Sequence, residues 1–103
     1  LSIRRAFLFL HTPFTNPQTM FFIYILQSQF DGSFYIGYTT DLQQRLEQHN
    51  NGESNYTKRK TPWALRYSEA FESKTDALKR EIFLKKQRNR EFYQRLIDGN
   101  SVG

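Results

Sequence analysis

The stretch Phe21–Gly37, FFIYILQSQFDGSFYIG, limits the folds open to this chain more than any other. Two aromatic, β-branched runs flank Asp31-Gly32, which predicts a β-hairpin with a two-residue turn. With Asp31 and Gly32 as the turn, Phe30 faces Ser33, Ser28 faces Tyr35, Leu26 faces Gly37 and Tyr24 faces Thr39. Side chains alternate along a strand, so Phe22, Tyr24, Leu26, Tyr35 and Gly37 share one face. Ile23, Ile25, Phe34 and Ile36 share the other. One face is an apolar floor. The other sets two phenols beside a residue with no side chain, and chemistry is expected there.

Downstream, Thr39-Thr40-Asp41 offers capping side chains to a helix, LQQRLEQHN, which Asn51-Gly52 ends. Arg45 and His49 stand at i, i+4 on its border. Glu53 to Thr61 is polar, holds Tyr56 and Lys58-Arg59-Lys60, and reads as a mobile basic loop. Pro62 opens a third strand, in which Trp63, Leu65 and Tyr67 alternate with Ala64, Arg66 and Ser68. Ser73 or Thr75 caps a helix, DALKREIFLKKQ, with Leu78 and Ile82 at helical spacing and Ala77, Glu81 and Leu84 beside them. A last helix spans Asn89 to Ile97, and the tail 99–103 is expected to fray. The order strand, strand, helix, strand, helix, helix predicts an α+β fold within the broad α/β class. Its sheet is small, three-stranded and antiparallel, flanked by helices.

At 103 residues the chain is one domain, here 20–98. A chain of this size buries only about 60–65% of its unfolded surface, and an aromatic share of 17% offsets the small core. The absence of cysteine excludes disulfides and thiolate zinc sites, and two histidines are too few for a histidine-rich metal site. Net charge is +5, with 12 Lys and Arg against 5 Asp and Glu between Lys58 and Arg95. Such one-sidedness suits a polyanion, most obviously nucleic acid, or else a plain solvated helix surface. No apolar run approaches the roughly 18 residues of a membrane span, and a cytoplasmic setting is expected.

Phe22-Ile23-Tyr24 and Tyr35-Ile36-Gly37 stand in order with YTTDLQQRLEQHNNG at 38–52, YTKRKTPWALRYSEAF at 56–71 and DALKREIFLKK at 76–86. Together they resemble the GIY-YIG nuclease superfamily, in its small single-domain bacterial branch, from Phe21 to Ile97. Phe22 replaces the first glycine of the pattern. The resemblance implies the same αβ architecture and a metal-dependent endonuclease. It places catalytic residues at Tyr24, Tyr35, Arg45, His49 and Glu81.

Those residue types suit phosphodiester hydrolysis, which needs an activated water, countercharge at phosphorus and help for the leaving oxygen. Glu81 is the candidate ligand of one Mg²⁺ or Mn²⁺, because Mg²⁺ takes few carboxylates beside water and substrate phosphate. Its competing role is an ion pair with Lys85. Arg45 offers a planar fork to phosphate oxygens, or else pairs with Asp41 or Glu47. His49 relays or orients a proton, or else meets the helix dipole. Tyr24 is the first choice of base, with Tyr35 in support. A free phenol is ionised about once in a thousand at pH 7, so Tyr24 needs a nearby cation or a group to take its proton. Both tyrosines could also be plain aromatic packing.

Lys58, Arg59, Lys60, Lys79, Lys85, Lys86, Arg88 and Arg90 form the expected phosphate-positioning set on duplex or branched DNA. Such contacts carry no base preference, so weakly sequence-specific, structure-selective cutting is expected. A non-catalytic nucleic-acid-binding module would need only this basic set, and a protein-interaction domain would need neither.

Residues 1–19 read as a disordered extension. Met20 stands where a natural start would fall, and Pro13 and Pro17 favour irregular structure. Arg4-Arg5 precedes AFLFL, shorter than the roughly 7–15 apolar residues of a signal peptide. A chain starting at Met20 is expected to keep both stability and activity. A marked fall in melting temperature on deletion would show that Phe7 to Leu10 docks on the domain.

Overall fold

The computed structural model describes residues 19–102, with side chains through Gly99, and residues 1–18 of the expected extension 1–19 lie outside them. Strands β1 (Phe21–Ser28), β2 (Phe34–Thr39) and β3 (Trp63–Phe71) form one antiparallel sheet in the order β2-β1-β3. Helix α1 (Leu42–Asn50) follows β2, a 3₁₀ turn spans Lys58–Lys60, and α2 (Lys74–Gln87) and α3 (Arg90–Val102) follow β3. The expected α+β architecture is what the chain adopts. Helix α3 carries on to Val102, past the Ile97 where its apolar pattern stops.

The hairpin register differs from expectation by two residues. Tyr24 pairs with Gly37, Leu26 with Tyr35 and Phe22 with Thr39. The connection is wider than Asp31-Gly32 because the Ser28 hydroxyl accepts from the Phe30 and Asp31 amides, at 3.1 and 3.2 Å. Asp31 in turn accepts from the Ser33 amide, and the Gly32 amide donates back to the Ser28 carbonyl at 2.8 Å. Gly32 closes the turn at φ 77, a conformation glycine adopts without a Cβ clash. A shift of two keeps every side chain on its own face. The two faces are therefore as expected.

On one face, Ile23, Ile25 and Ile36 pack with Ala77 and Leu84 of α2 and Tyr93 of α3. On the other, Tyr24 and Leu26 pack with Leu42 of α1 and Trp63. Strand β3 does not keep a single alternation. Ile25 pairs with Tyr67 but Leu26 with Leu65, so Arg66 is an extra residue in a bulge. Trp63 and Leu65 consequently join the Tyr24 face, while Tyr67 joins the isoleucine face rather than staying with them.

Local capping fixes the helices. Asp41 accepts from the Gln44 amide and Ser73 from the Asp76 amide. Arg88 ends α2 in the left-handed conformation, φ 48, and the Tyr93 hydroxyl donates to the Leu84 carbonyl at 2.7 Å. The Asn50 side chain bonds both backbone groups of Trp63, at 2.6 and 3.1 Å, and so pins the end of α1 to the start of β3.

Helix α2 turns a different stripe inward from the one centred on Leu78 and Ile82. Ala77 and Leu84 are both 0% exposed, whereas Ile82 is 53% exposed. Glu81 lies on the inward stripe between Ala77 and Leu84. Truncating Leu84→Ala should cost about 2–5 kcal/mol in chemical denaturation. Ile82→Ala should stay within about 0.5 kcal/mol, as an exposed position does. The reverse ranking would overturn this assignment of the stripe.

Candidate active site

The Tyr24 ring crosses from β1 toward β2 and lies over Gly37, its direct partner. A Cβ on residue 37 would overlap the Tyr24 Oη and Cζ, so only glycine leaves the ring its place. This is the close approach for which the second triplet ends in glycine. The first triplet has Phe22 instead, which packs against the apolar cluster on this face.

Helix α1 brings Arg45 and His49 to the same hydroxyl. Arg45 Nε donates to Tyr24 Oη at 3.3 Å, and His49 Nε2 lies 3.0 Å from it. The guanidinium must donate, and the Tyr24 hydrogen is then free to go to Nε2. In that arrangement His49 is the Nδ1–H tautomer, with Nδ1 2.8 Å from Thr57 Oγ1. Thr57 is buried, and its carbonyl accepts from Trp63 Nε1 at 3.0 Å. The segment expected to be a mobile loop is thus tied into the core at its midpoint. Ser28 Oγ adds a second tie, donating to the Lys60 carbonyl at 2.6 Å.

Tyr35 flanks this chain. Its ring centroid is 4.9 Å from the His49 ring and 6.4 Å from that of Tyr24. Glu81 approaches from α2, and its charge acts on the Tyr24 hydroxyl. Its side chain is 16% exposed, and Oε2 lies 3.2 Å from Lys85 Nζ. The expected i, i+4 ion pair of Glu81 with Lys85 is therefore formed. Tyr24, Tyr35, Arg45 and His49 come together, and Glu81 acts on them through its charge from α2.

Electrostatics set their protonation. Burial pushes the Tyr24 phenol up to about 12, against the Arg45 hydrogen bond, with Tyr35 and Glu81 adding to the rise. Burial, then the Arg45 charge, pushes His49 down to about 4. Burial also works against the Arg45 guanidinium, but its contacts with Tyr24 and Tyr35 raise its pKa on balance. At neutral pH the site is a neutral phenol bonded to a neutral imidazole beside a fixed cation. Arg45 pulls the phenol down, as one sequence reading required, but does not outweigh burial. Its Nη1 donates to the Gln48 side-chain oxygen at 2.9 Å.

The basic set divides. Lys58, Arg59 and Lys60 form the 3₁₀ turn next to Thr57, with Lys60 Nζ 3.3 Å from Asp31. Lys79, Lys85 and Lys86 lie on α2, and Arg88 at its end; Lys85, Lys86 and Arg88 rim a shallow hollow with Ile82. Arg90 stacks over Phe34 at 5.0 Å and donates to the Gly32 carbonyl at 3.0 Å. Its role in holding the hairpin turn was not legible in the sequence. Nor was that of Thr57, whose only signal is a small hydroxyl side chain just before the charged run.

Comparison with known proteins places this geometry. The model of the GIY-YIG catalytic domain matches residues 20–95. The chain belongs to the GIY-YIG family, a family of nucleases. A UPF0213 protein of Halobacterium salinarum is 43% identical over 67 residues, covering 64% of this chain and 86% of that one. A UPF0213 protein of Staphylococcus saprophyticus is 46% identical over 65 residues, covering 62% and 78%. Among solved structures, the solution NMR structure of a UPF0213 protein from Bacillus halodurans is 37% identical. It covers 73% of this chain and 80% of that one, with a TM-score of 0.47.

The buried GIY-YIG histidine has a consequence for stability. An unfolded chain protonates His49 near its ordinary value of 6.5, whereas the folded site resists until about 4. The unfolded state then binds more protons, so stability rises with pH through this window. His49 burial is harmless above 6.5 and costs increasingly as pH falls toward 4. Denaturation midpoints should drop across that range, and the drop should shrink in His49→Gln. An equally steep drop in the variant would assign it to other groups.

Proposed function

We propose that this protein is a metal-dependent endonuclease that hydrolyses DNA phosphodiester bonds with little sequence preference, with Tyr24, Tyr35, Arg45, His49 and Glu81 as its catalytic residues. The observation that carries this is the Tyr24 hydroxyl, held between Arg45 Nε at 3.3 Å and His49 Nε2 at 3.0 Å. A cation that binds phosphate and an acceptor that takes a proton meet at one oxygen.

The pKa directions favour a relay over a phenolate. Tyr24 accepts a proton from the attacking water as its own proton passes to His49 Nε2. The water oxygen bonds phosphorus, and the ester P–O bond breaks to release the alkoxide side of the cut strand, which takes a proton from solvent. With the Nδ1 hydrogen on Thr57 Oγ1, 2.8 Å away, Nε2 is open to take that proton. An imidazolium beside Arg45 is disfavoured until a phosphate brings negative charge. Proton acceptance is therefore coupled to substrate binding. Arg45 holds the phosphate and gains strength as charge develops on its oxygens. Tyr35 walls the imidazole and keeps its ring in place.

Glu81 would hold the metal, Mg²⁺ or Mn²⁺. Among the described residues no three His, Cys, Asp or Glu side chains gather into a metal cage. A lone carboxylate on an inward stripe suits a hard cation that keeps its waters and takes oxygens from a substrate, as Mg²⁺ does. Bound there, it would supply Lewis-acid stabilisation of phosphate charge. The Lys85 ammonium lies 3.2 Å from Oε2. Lys58, Arg59, Lys60, Lys79, Lys86 and Arg88 would meet the DNA backbone.

Glu81→Gln keeps the size of the side chain and removes its charge. It should abolish metal-dependent cleavage, while DNA binding measured in chelator persists or tightens. Arg45→Ala should slow cleavage by about 10²–10³, the usual loss for one positioned donor. Wild-type cleavage by well-folded Glu81→Gln would reduce Glu81 to the ion-pair partner of Lys85. Binding without cleavage in the wild-type protein would favour a non-catalytic nucleic-acid-binding module.

A further inference from the structure

Tyr56 is the most exposed large aromatic side chain among the described residues, at 81%, yet it does not lie on an empty surface. Its ring centroid is 5.8 Å from that of Tyr35, tilted by 47°. Tyr35 in turn touches the His49 ring at 4.9 Å. The ring therefore stands at the mouth of the Tyr24–His49 cluster. Its neighbour Thr57 is 0% exposed and bonded to His49 and Trp63, so Tyr56 is held outward by a buried anchor. Lys58, Arg59 and Lys60 follow immediately in a 3₁₀ turn.

Burial does not account for this ring. Most of its surface faces water, where an aromatic face gains nothing from the core. An open aromatic face, anchored beside cations and a hydrolytic centre, suits one ligand chemistry: the flat face of a nucleobase. Aromatic side chains alongside a cationic track are how single strands are held without sequence preference. In an intact duplex each base face is already covered by its neighbours. Only an unpaired base offers one.

We propose that Tyr56 is a stacking platform for an unpaired base next to the scissile phosphate, so that the preferred substrate is DNA with unstacked bases rather than uninterrupted duplex. The proposal rests on the nuclease reading for the role of the neighbouring phosphate, but stacking itself is measurable without cleavage. Lys58, Arg59 and Lys60 would follow the backbone of the same strand.

The test uses the full chain in chelator, with a single-stranded DNA oligomer, the duplex of the same sequence, and an all-abasic strand of equal length. Tyr56→Ala should weaken single-strand binding by about 5- to 150-fold, the equivalent of 1–3 kcal/mol for one stacked base. Duplex affinity and melting temperature should be unchanged, because the side chain lies outside the core. Tyr56→Phe should bind as wild type does. The abasic strand should not distinguish wild type from Tyr56→Ala. Equal losses on single strand and duplex would overturn the proposal, as would a Phe variant as weak as the Ala variant, or no loss at all. With Mg²⁺ added, cleavage that lacks the single-strand-selective effect would sink stacking alone. The selective effect without any cleavage would sink the nuclease reading and leave stacking standing.

Discussion

The structure hangs on a buried line of hydrogen bonds that runs from Arg45 through Tyr24, His49 and Thr57 to Trp63. It links β1 to three consecutive segments more than twelve residues downstream, α1, the loop that follows and β3. Tyr24, His49, Thr57 and Trp63 are buried and Arg45 is half-buried, and each has a partner. No buried side-chain nitrogen or oxygen among the described residues lacks one. In a low-dielectric interior such a line is costly when incomplete and specific when complete. The fold and the candidate chemistry therefore rest on the same bonds.

That dependence explains what could be read from the residues alone. The faces of the hairpin were legible because alternation has period two, and a register error of two residues leaves them unchanged. The register itself was not, because the Ser28 hydroxyl captures two turn amides and widens the connection beyond Asp31-Gly32. Tyr67 was misplaced because a bulge at Arg66 is invisible in a simple alternation. On α2, Ile82 is apolar yet faces water, while Glu81 is charged yet faces inward. Hydrophobic periodicity assigns such a stripe by majority, and a half-buried carboxylate is the member it gets wrong.

Arg45 and His49 were identifiable as i, i+4 neighbours, but the bond each makes is to a strand more than twenty residues away. Local pattern places residues on an element; it does not say which partner the element will meet. The cations show the same limit. Lys60 and Arg90 belong to a basic run in sequence, yet Asp31 and the Gly32 carbonyl engage them around the hairpin turn. Charge counted along the chain overstates what remains for a polyanion.

The Asn50 amide, which bonds both backbone groups of Trp63, acts as a one-residue staple. It closes the segment 51–62 into a loop, and Thr57 fastens that loop again near its middle. What remains is a pair of short arches with fixed feet. Loop-closure entropy grows only logarithmically with length, by about 0.6 kcal/mol for each doubling. Either arch could be lengthened or reshaped at small cost while the staple and Thr57 stay in place. The fold thus separates a part that must stay constant from a part free to vary. Diversification within such a scaffold has its natural outlet in the arches, where new side chains can reach a strand without disturbing the bonds that hold Tyr24.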